Sequence, residues 1–274
     1  MVARNPLWPL NPSYRPDLYA GTSEYYALYR PPYPADLLHD LLAQAAVKDG
    51  GRLLDLACGT GEVALALQPF FAEVWAVDQE PDMIAVGQRK AEQAGAWNVR
   101  WIRQRAEDIE APSGFFELVT IGAAFHRLDR RVVTERALGW LPPTGCLSVL
   151  GSNSFWTGKE EWQGIARKVI DEWSGEKTHA GTEGPANPHA SHIDVLAAAG
   201  FVDIEQRDFP TPYTWTPDTI TGYLRSTAFL SSLASDRSSE QFEAELRRAL
   251  LDYDPSGLYE ETMAFYYIIG RRPD

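Results

Sequence analysis

The 274-residue sequence has only two cysteines, Cys58 and Cys146. That is too few for a disulfide framework or a cysteine zinc site. Its five histidines are scattered, and His179, His189 and His192 read as solvated loop residues without ligand spacing, so no metal is expected. No run of basic residues occurs and the formal net charge is −13, which leaves no electrostatic footprint for nucleic acid. No uninterrupted apolar stretch reaches the roughly 20 residues of a membrane-spanning helix. The first residues, Met1-Val2-Ala3-Arg4-Asn5-Pro6, lack an apolar leader core. A soluble, cytoplasmic protein that binds neither nucleic acid nor membrane is expected.

What is present is an ordinary globular composition, 45% hydrophobic and 23% charged, in a chain long enough to bury about three-quarters of its unfolded surface. The most informative stretch runs from Arg52 to Leu67. Arg52-Leu53-Leu54-Asp55-Leu56 reads as a buried strand, Ala57-Cys58-Gly59-Thr60-Gly61 as a small-residue turn, and Glu62 onward as a helix. Strand, glycine turn and helix open a βαβ unit, where a nucleotide can bind. By glycine spacing alone, Gly59-x-Gly61-x-x-Ala64 also fits the dinucleotide fingerprint of NAD and FAD enzymes. The acids separate the two readings. Asp55 and Glu62 flank the spot where a pyrophosphate would sit and would repel it, against the pull of the helix N-terminus. A ligand carrying an ammonium and a sulfonium suits them better.

Asp55-x-Ala57-x-Gly59-x-Gly61 resembles motif I of the class I S-adenosylmethionine-dependent methyltransferases, with Ala57 where many members have a first glycine. The resemblance implies that Asp55 and the loop Ala57, Cys58, Gly59 and Gly61 hold the methionine end of the cofactor. The second strand, Val74–Val77, ends in Asp78-Gln79-Glu80-Pro81-Asp82-Met83. An acid nineteen residues past Gly59 is placed to accept both ribose hydroxyls; Gln79 and Met83 match the positions that sandwich adenine in the family. Arg105-Ala106-Glu107-Asp108 resembles the loop at the adenine edge. Arg105 stands where relatives often have Asp, which leaves backbone groups around Ala106 and Glu107, or the Asp108 carboxylate, to meet the base.

The stretch Phe116–Ile121 followed by Gly122-Ala123-Ala124-Phe125-His126 resembles the end of the family's fourth strand. There Gly122 would offer its carbonyl to the cofactor's amino group. His126, near an unperturbed pKa of about 6.5, is a candidate general base for a substrate proton, or a residue that orients its loop. Upstream, Glu24–Pro34 resembles a Tyr-rich segment of small-molecule members that folds over the methionine moiety. Tyr25 and Tyr29 share a helical face and are expected near cofactor and substrate, with Arg30 pairing the methionine carboxylate.

The expected fold is α/β: a Rossmann-like, seven-stranded, mostly parallel sheet with helices on both faces and a helical cap. Residues 1–24, rich in proline, form an arm, either on its own domain or on a neighbouring subunit as a route to a homo-oligomer. Residues 25–151, 191–212 and 262–274 form the cofactor domain, and 152–190 and 213–261 the cap. Phe125, Trp156 and Trp162 are candidate acceptor-lining residues, and 12% aromatic content favours an apolar or aromatic acceptor. The expected activity is methyl transfer from S-adenosylmethionine, giving S-adenosylhomocysteine, to an O, N or C nucleophile of a small molecule. Two alternatives stay open: a protein of this fold that catalyses a non-methylating cyclisation or serves as a binding module, and an NAD-dependent oxidoreductase.

Overall fold

Four apolar runs become buried parallel strands: β1 (Arg52–Leu56), β2 (Glu73–Asp78), β4 (Leu118–Gly122) and β5 (Cys146–Gly151), with the more exposed β3 (Val99–Arg103) at one edge. Covered on both faces, such strands read as continuous hydrophobic stretches rather than alternating ones. β6 (Val202–Trp215) and β7 (Tyr259–Arg271) complete the sheet in the order β3-β2-β1-β4-β5-β7-β6, with β7 antiparallel to both its neighbours. Strand order reverses between β1 and β4, which opens a crevice at their carboxyl ends. The computed structural model describes residues 21–47, 50–153, 155–174, 188–227 and 236–274. Most of the arm expected over residues 1–24, and the loop at 175–187, lie outside them.

Helices cover both faces: α1 (Ser23–Tyr29), α2 (Ala35–Ala45), α3 (Glu62–Leu67), α4 (Pro81–Ala94), α5 (Arg130–Trp140), α6 (Glu161–Ser174), α7 (Pro188–Ala199), α8 (Pro217–Arg225) and α9 (Asp236–Tyr253). Successive strand residues point to opposite faces. Leu53 therefore joins a core with Leu37, Leu41 and Val63, while Leu54 joins another with Val133 and Ala137. Among the described residues no helix is long and apolar enough to cross a membrane.

The boundary of the cap differs from expectation. The cofactor domain was expected over 191–212 and again from 262, with 213–261 in the cap, but β6 runs to Trp215 and β7 begins at Tyr259. Pro210 and Pro212 look like strand breakers in the sequence, yet β6 is an edge strand, where a missing N–H costs no ladder bond. β5 pairs with β7 only over Tyr266–Arg271, so the first half of β7 pairs with β6 alone. This two-stranded ribbon runs beyond the sheet edge with Tyr259, Glu261, Met263 and Phe265 turned inward. α6, α8 and α9 share its apolar cluster through Trp162, Ile220, Leu224, Phe242 and Leu246. The cap is thus built on an extension of the sheet.

α8 starts with a capping box, Thr216 and Thr219 bonding each other's backbone N–H groups. It carries Gly222 where the Tyr29 ring of α1 lies, and a Cβ on that glycine would fall inside the ring. We expect Gly222→Ala to destabilise the protein by about 1–3 kcal/mol through this overpacking. Urea unfolding would show it as a lower midpoint at constant slope; an unmoved midpoint would mean that α1 does not dock on α8.

Candidate active site

The turn after β1 is built from left-handed residues: Ala57, Gly59 and Gly61 have φ of 51°, 57° and 85°. Ala57 takes this conformation without being glycine, so the turn does not need the family's first glycine. Tyr26 lies 3.6 Å from where a Cβ on Gly59 would stand, an ordinary van der Waals contact, so it is the positive φ that favours glycine there. The Gly59 N–H donates to the Asp78 carboxylate at 2.8 Å, and the Glu80 N–H donates to its other oxygen, also at 2.8 Å. Asp78 therefore ties the end of β2 to the turn after β1. Asp55 performs the same service inside the sheet, accepting from the Thr120 hydroxyl of β4 at 2.8 Å and the Ala64 N–H of α3 at 3.1 Å. Glu62 accepts from the Thr60 hydroxyl and from Lys90, the latter at 2.9 Å.

Burial raises the Asp55 pKa to about 7; Thr120 and Ala64 oppose the rise, and the charges of Glu62 and Asp78 add to it. Asp78 is also raised, by burial first and by Glu62, against three backbone N–H groups that favour its charge. Three acids thus crowd one turn, and their repulsion adds to what burial does to Asp55 and Asp78.

A cavity opens beside the turn. Asp55, Ala57, Cys58, Glu62, Gly122 and Ala123 line one end, at the carboxyl ends of β1 and β4. Ser152, Asn153, Phe155, Trp215, Glu261 and Phe265 line the other, over β5 and the ribbon. Arg30 is on the lining as well, its guanidinium 4.8 Å from the Tyr26 ring centre and 4.7 Å from that of Tyr223, with a bond to the Ser226 carbonyl at 3.2 Å. Tyr33 lines the cavity with a phenol pushed well above its usual pKa, by burial first and then by Tyr26, Asp55 and Glu62. It stays neutral.

Of the residues singled out in the sequence, Arg30, Asp55, Ala57, Cys58 and Gly122 line this cavity. Gly59, Gly61, Asp78, Gln79 and Met83 are not on the lining; they lie in the turn after β1, at the end of β2 and in the first turn of α4, where Met83 is buried. Ala106 is buried, while the Asp108 side chain is exposed. Glu107 is committed elsewhere: it accepts from the Asp129 N–H at 2.9 Å and pairs with Arg105 at 3.4 Å, holding the start of α5.

Several expectations need correction. Tyr25 and Tyr29 do not line the cavity but pack on α8, where the Tyr25 hydroxyl accepts from Arg225 at 2.7 Å. The face one residue on, Tyr26 and Arg30, points inward instead. Phe125 is core, 1% exposed, with its ring edge-on to His192 at 5.0 Å. That makes His192 a buried residue rather than a solvated one. Trp162 is also core, 3% exposed, its indole donating to the Glu260 carbonyl at 3.2 Å, and Trp156 packs on Phe155 without reaching the lining. His126 is not on the lining either. Its imidazole is lowered to about 4, by desolvation first and then by Arg127 and Arg130, so it is neutral at pH 7. His179 lies outside the described residues. The residues missed are chiefly Tyr26, Tyr33, Trp215, Tyr223 and Glu261, brought together by the ribbon from segments far apart in the chain.

Residues 53–145 match a family described as a methyltransferase domain. The chain is 40% identical over 117 residues to a demethylmenaquinone methyltransferase of Thermus thermophilus, covering 40% of this chain and 50% of that relative. It is 29% identical over 148 residues to a ubiquinone/menaquinone biosynthesis C-methyltransferase of Ralstonia nicotianae, covering 52% and 60% respectively. The chain therefore spans between half and three-fifths of the length of these curated relatives. Among solved structures, the YcgJ protein of Bacillus subtilis superposes with a TM-score of 0.55 at 16% identity, over 88% of this chain and all of that one, which is a likeness of fold. Residues 53–145 thus belong to the family that the glycine turn resembles, the class I S-adenosylmethionine-dependent methyltransferases.

Proposed function

We propose that the chain transfers a methyl group from S-adenosylmethionine to an O, N or C nucleophile of a small, largely apolar or aromatic molecule. The observation that carries this reading is the acid-crowded turn after β1. Burial first, and then the charge of Glu62, raises the proton affinity of Asp55 and Asp78, so that three acids repel one another beside the Gly59 turn. A cationic ligand relieves that repulsion, whereas a pyrophosphate adds to it. The residues present therefore fit the adenosyl cofactor.

In this reading Asp78 accepts the ribose hydroxyls, Gln79 and Met83 flank the adenine, and the backbone of Ala57–Gly61 holds the methionine end. Arg30 takes the methionine carboxylate, and Tyr26 closes over Gly59. S-adenosylmethionine held there would supply an electrophilic methyl group on a sulfonium. The protein's part is alignment of donor and acceptor and exclusion of water by Phe155, Trp215 and Phe265. Cys58 takes no chemical part, because burial and the neighbouring acids keep its thiol protonated.

Product mass tests the activity. With S-adenosylmethionine and a panel of aromatic amines, phenols and quinols, a product heavier by one methyl is expected, formed one-for-one with S-adenosylhomocysteine. A rearranged product of unchanged mass would instead favour the cyclisation alternative.

Asp55 also sets a pH dependence. Its carboxyl, raised from 3.8 to about 7, holds a proton in the folded protein that the unfolded chain has released. Stability of the free protein therefore falls as pH rises through that window. A bound cation favours the carboxylate, so affinity for S-adenosylmethionine should rise through neutral pH and level off above it. Calorimetric titration across about pH 6 to 8 reads this directly. Asp55→Asn should flatten the profile; a flat wild-type profile would contradict the assignment.

A further inference from the structure

The aromatic end of the cavity holds one acid that the cofactor reading does not use. Glu261 faces inward from β7 and is 8% exposed. One carboxylate oxygen accepts from the Asn153 amide at 2.7 Å and the other from the Trp215 indole at 2.8 Å. Both donors are neutral, and among the described residues Glu261 has no cationic partner. Burying a carboxylate with neutral partners alone leaves much of its desolvation cost uncompensated. Each of its oxygens can still accept another hydrogen bond.

Its surroundings point the same way. Trp215, Tyr223 and Phe155 line the cavity beside it, with Trp215 and Tyr223 edge-on at 5.4 Å and Phe155 and Tyr223 5.7 Å apart. Aromatic faces next to a carboxylate attract ammonium groups. Charged residues on the described lining are Asp55, Glu62 and Glu261 against Arg30. Arg30 stacks on two tyrosine rings, donates to the Ser226 carbonyl and is assigned above to the methionine carboxylate, and Glu62 is already paired with Lys90. Asp55 and Glu62 belong to the cofactor end. Glu261 alone serves the other.

We propose that Glu261 binds the acceptor, and that the acceptor carries a basic nitrogen held there as an ammonium beside an apolar or aromatic body. This deepens the methyltransferase reading and rests on it for which end of the cavity receives the acceptor. Glu261 also anchors Trp215 and Asn153, so the test must separate recognition from folding.

Benzylamine, benzyl alcohol and ethylbenzene are matched probes that differ in the group offered to the carboxylate. Calorimetric titration of the full chain, with and without saturating S-adenosylhomocysteine, should find benzylammonium at least about tenfold tighter than either neutral probe. Glu261→Gln should bring the three within about twofold while leaving S-adenosylhomocysteine affinity unchanged. If that variant does not fold, Glu261→Asp keeps the charge but withdraws it, and should cut the preference at least about threefold. Equal binding of the probes by wild type, or a preference undiminished in the variant, overturns the proposal. Failure of the wild-type protein to bind S-adenosylhomocysteine, with the ammonium preference present, would overturn the methyltransferase reading instead.

Discussion

The bond from the Gly59 N–H to the Asp78 carboxylate is the interaction on which the rest of the site depends. It closes the turn after β1 against the end of β2, and so fixes where a ligand can approach the sheet. The same carboxylate accepts from Glu80, which sets the first turn of α4. Asp55 locks the turn from below by reaching both α3 and β4. These anchors are acids rather than neutral groups, and the structure bears a cost in raised proton affinity to keep them together. That cost makes sense where a cation is the intended occupant. A site meant for a pyrophosphate would have placed neutral donors there.

The second constraint is the ribbon of β6 and β7. Because β7 outruns β5, its inner face has no strand to cover it and becomes the wall of a cavity under α6, α8 and α9. Alternation along the ribbon turns Glu261, Met263 and Phe265 inward, while Glu260 and Thr262 face out. The acceptor end thus comes from the sheet itself, which makes it more rigid than a loop-built lid. α1 closes the other side by laying Tyr29 into the notch at Gly222 and turning Tyr26 and Arg30 to the cavity.

Much of the cofactor end was legible in the sequence because its residues are neighbours in the chain. Asp55, Ala57, Gly59 and Gly61 lie on one strand and its turn, and Asp78 ends the adjacent strand. The acceptor end was not legible, for two physical reasons. Tyr25 and Tyr26 differ by one position and hence by about 100° around a helix, and only docking on α8 decides which faces in. Trp215 and Glu261 are 46 residues apart and meet through antiparallel pairing, which leaves no local signature. Pro210 and Pro212 concealed that pairing further. Of the tryptophans chosen in their place, Trp156 and Trp162, the second lies on a helix packed against the domain and is core.

The most direct measurement of the central claim is calorimetric titration of the purified protein with S-adenosylhomocysteine and NAD, repeated with Asp78→Ala. Micromolar binding of the adenosyl ligand, no heat from NAD and loss of binding in the variant are the expected results. Binding of NAD in preference, or adenosyl binding indifferent to Asp78, would contradict the account of the glycine turn on which the functional reading stands.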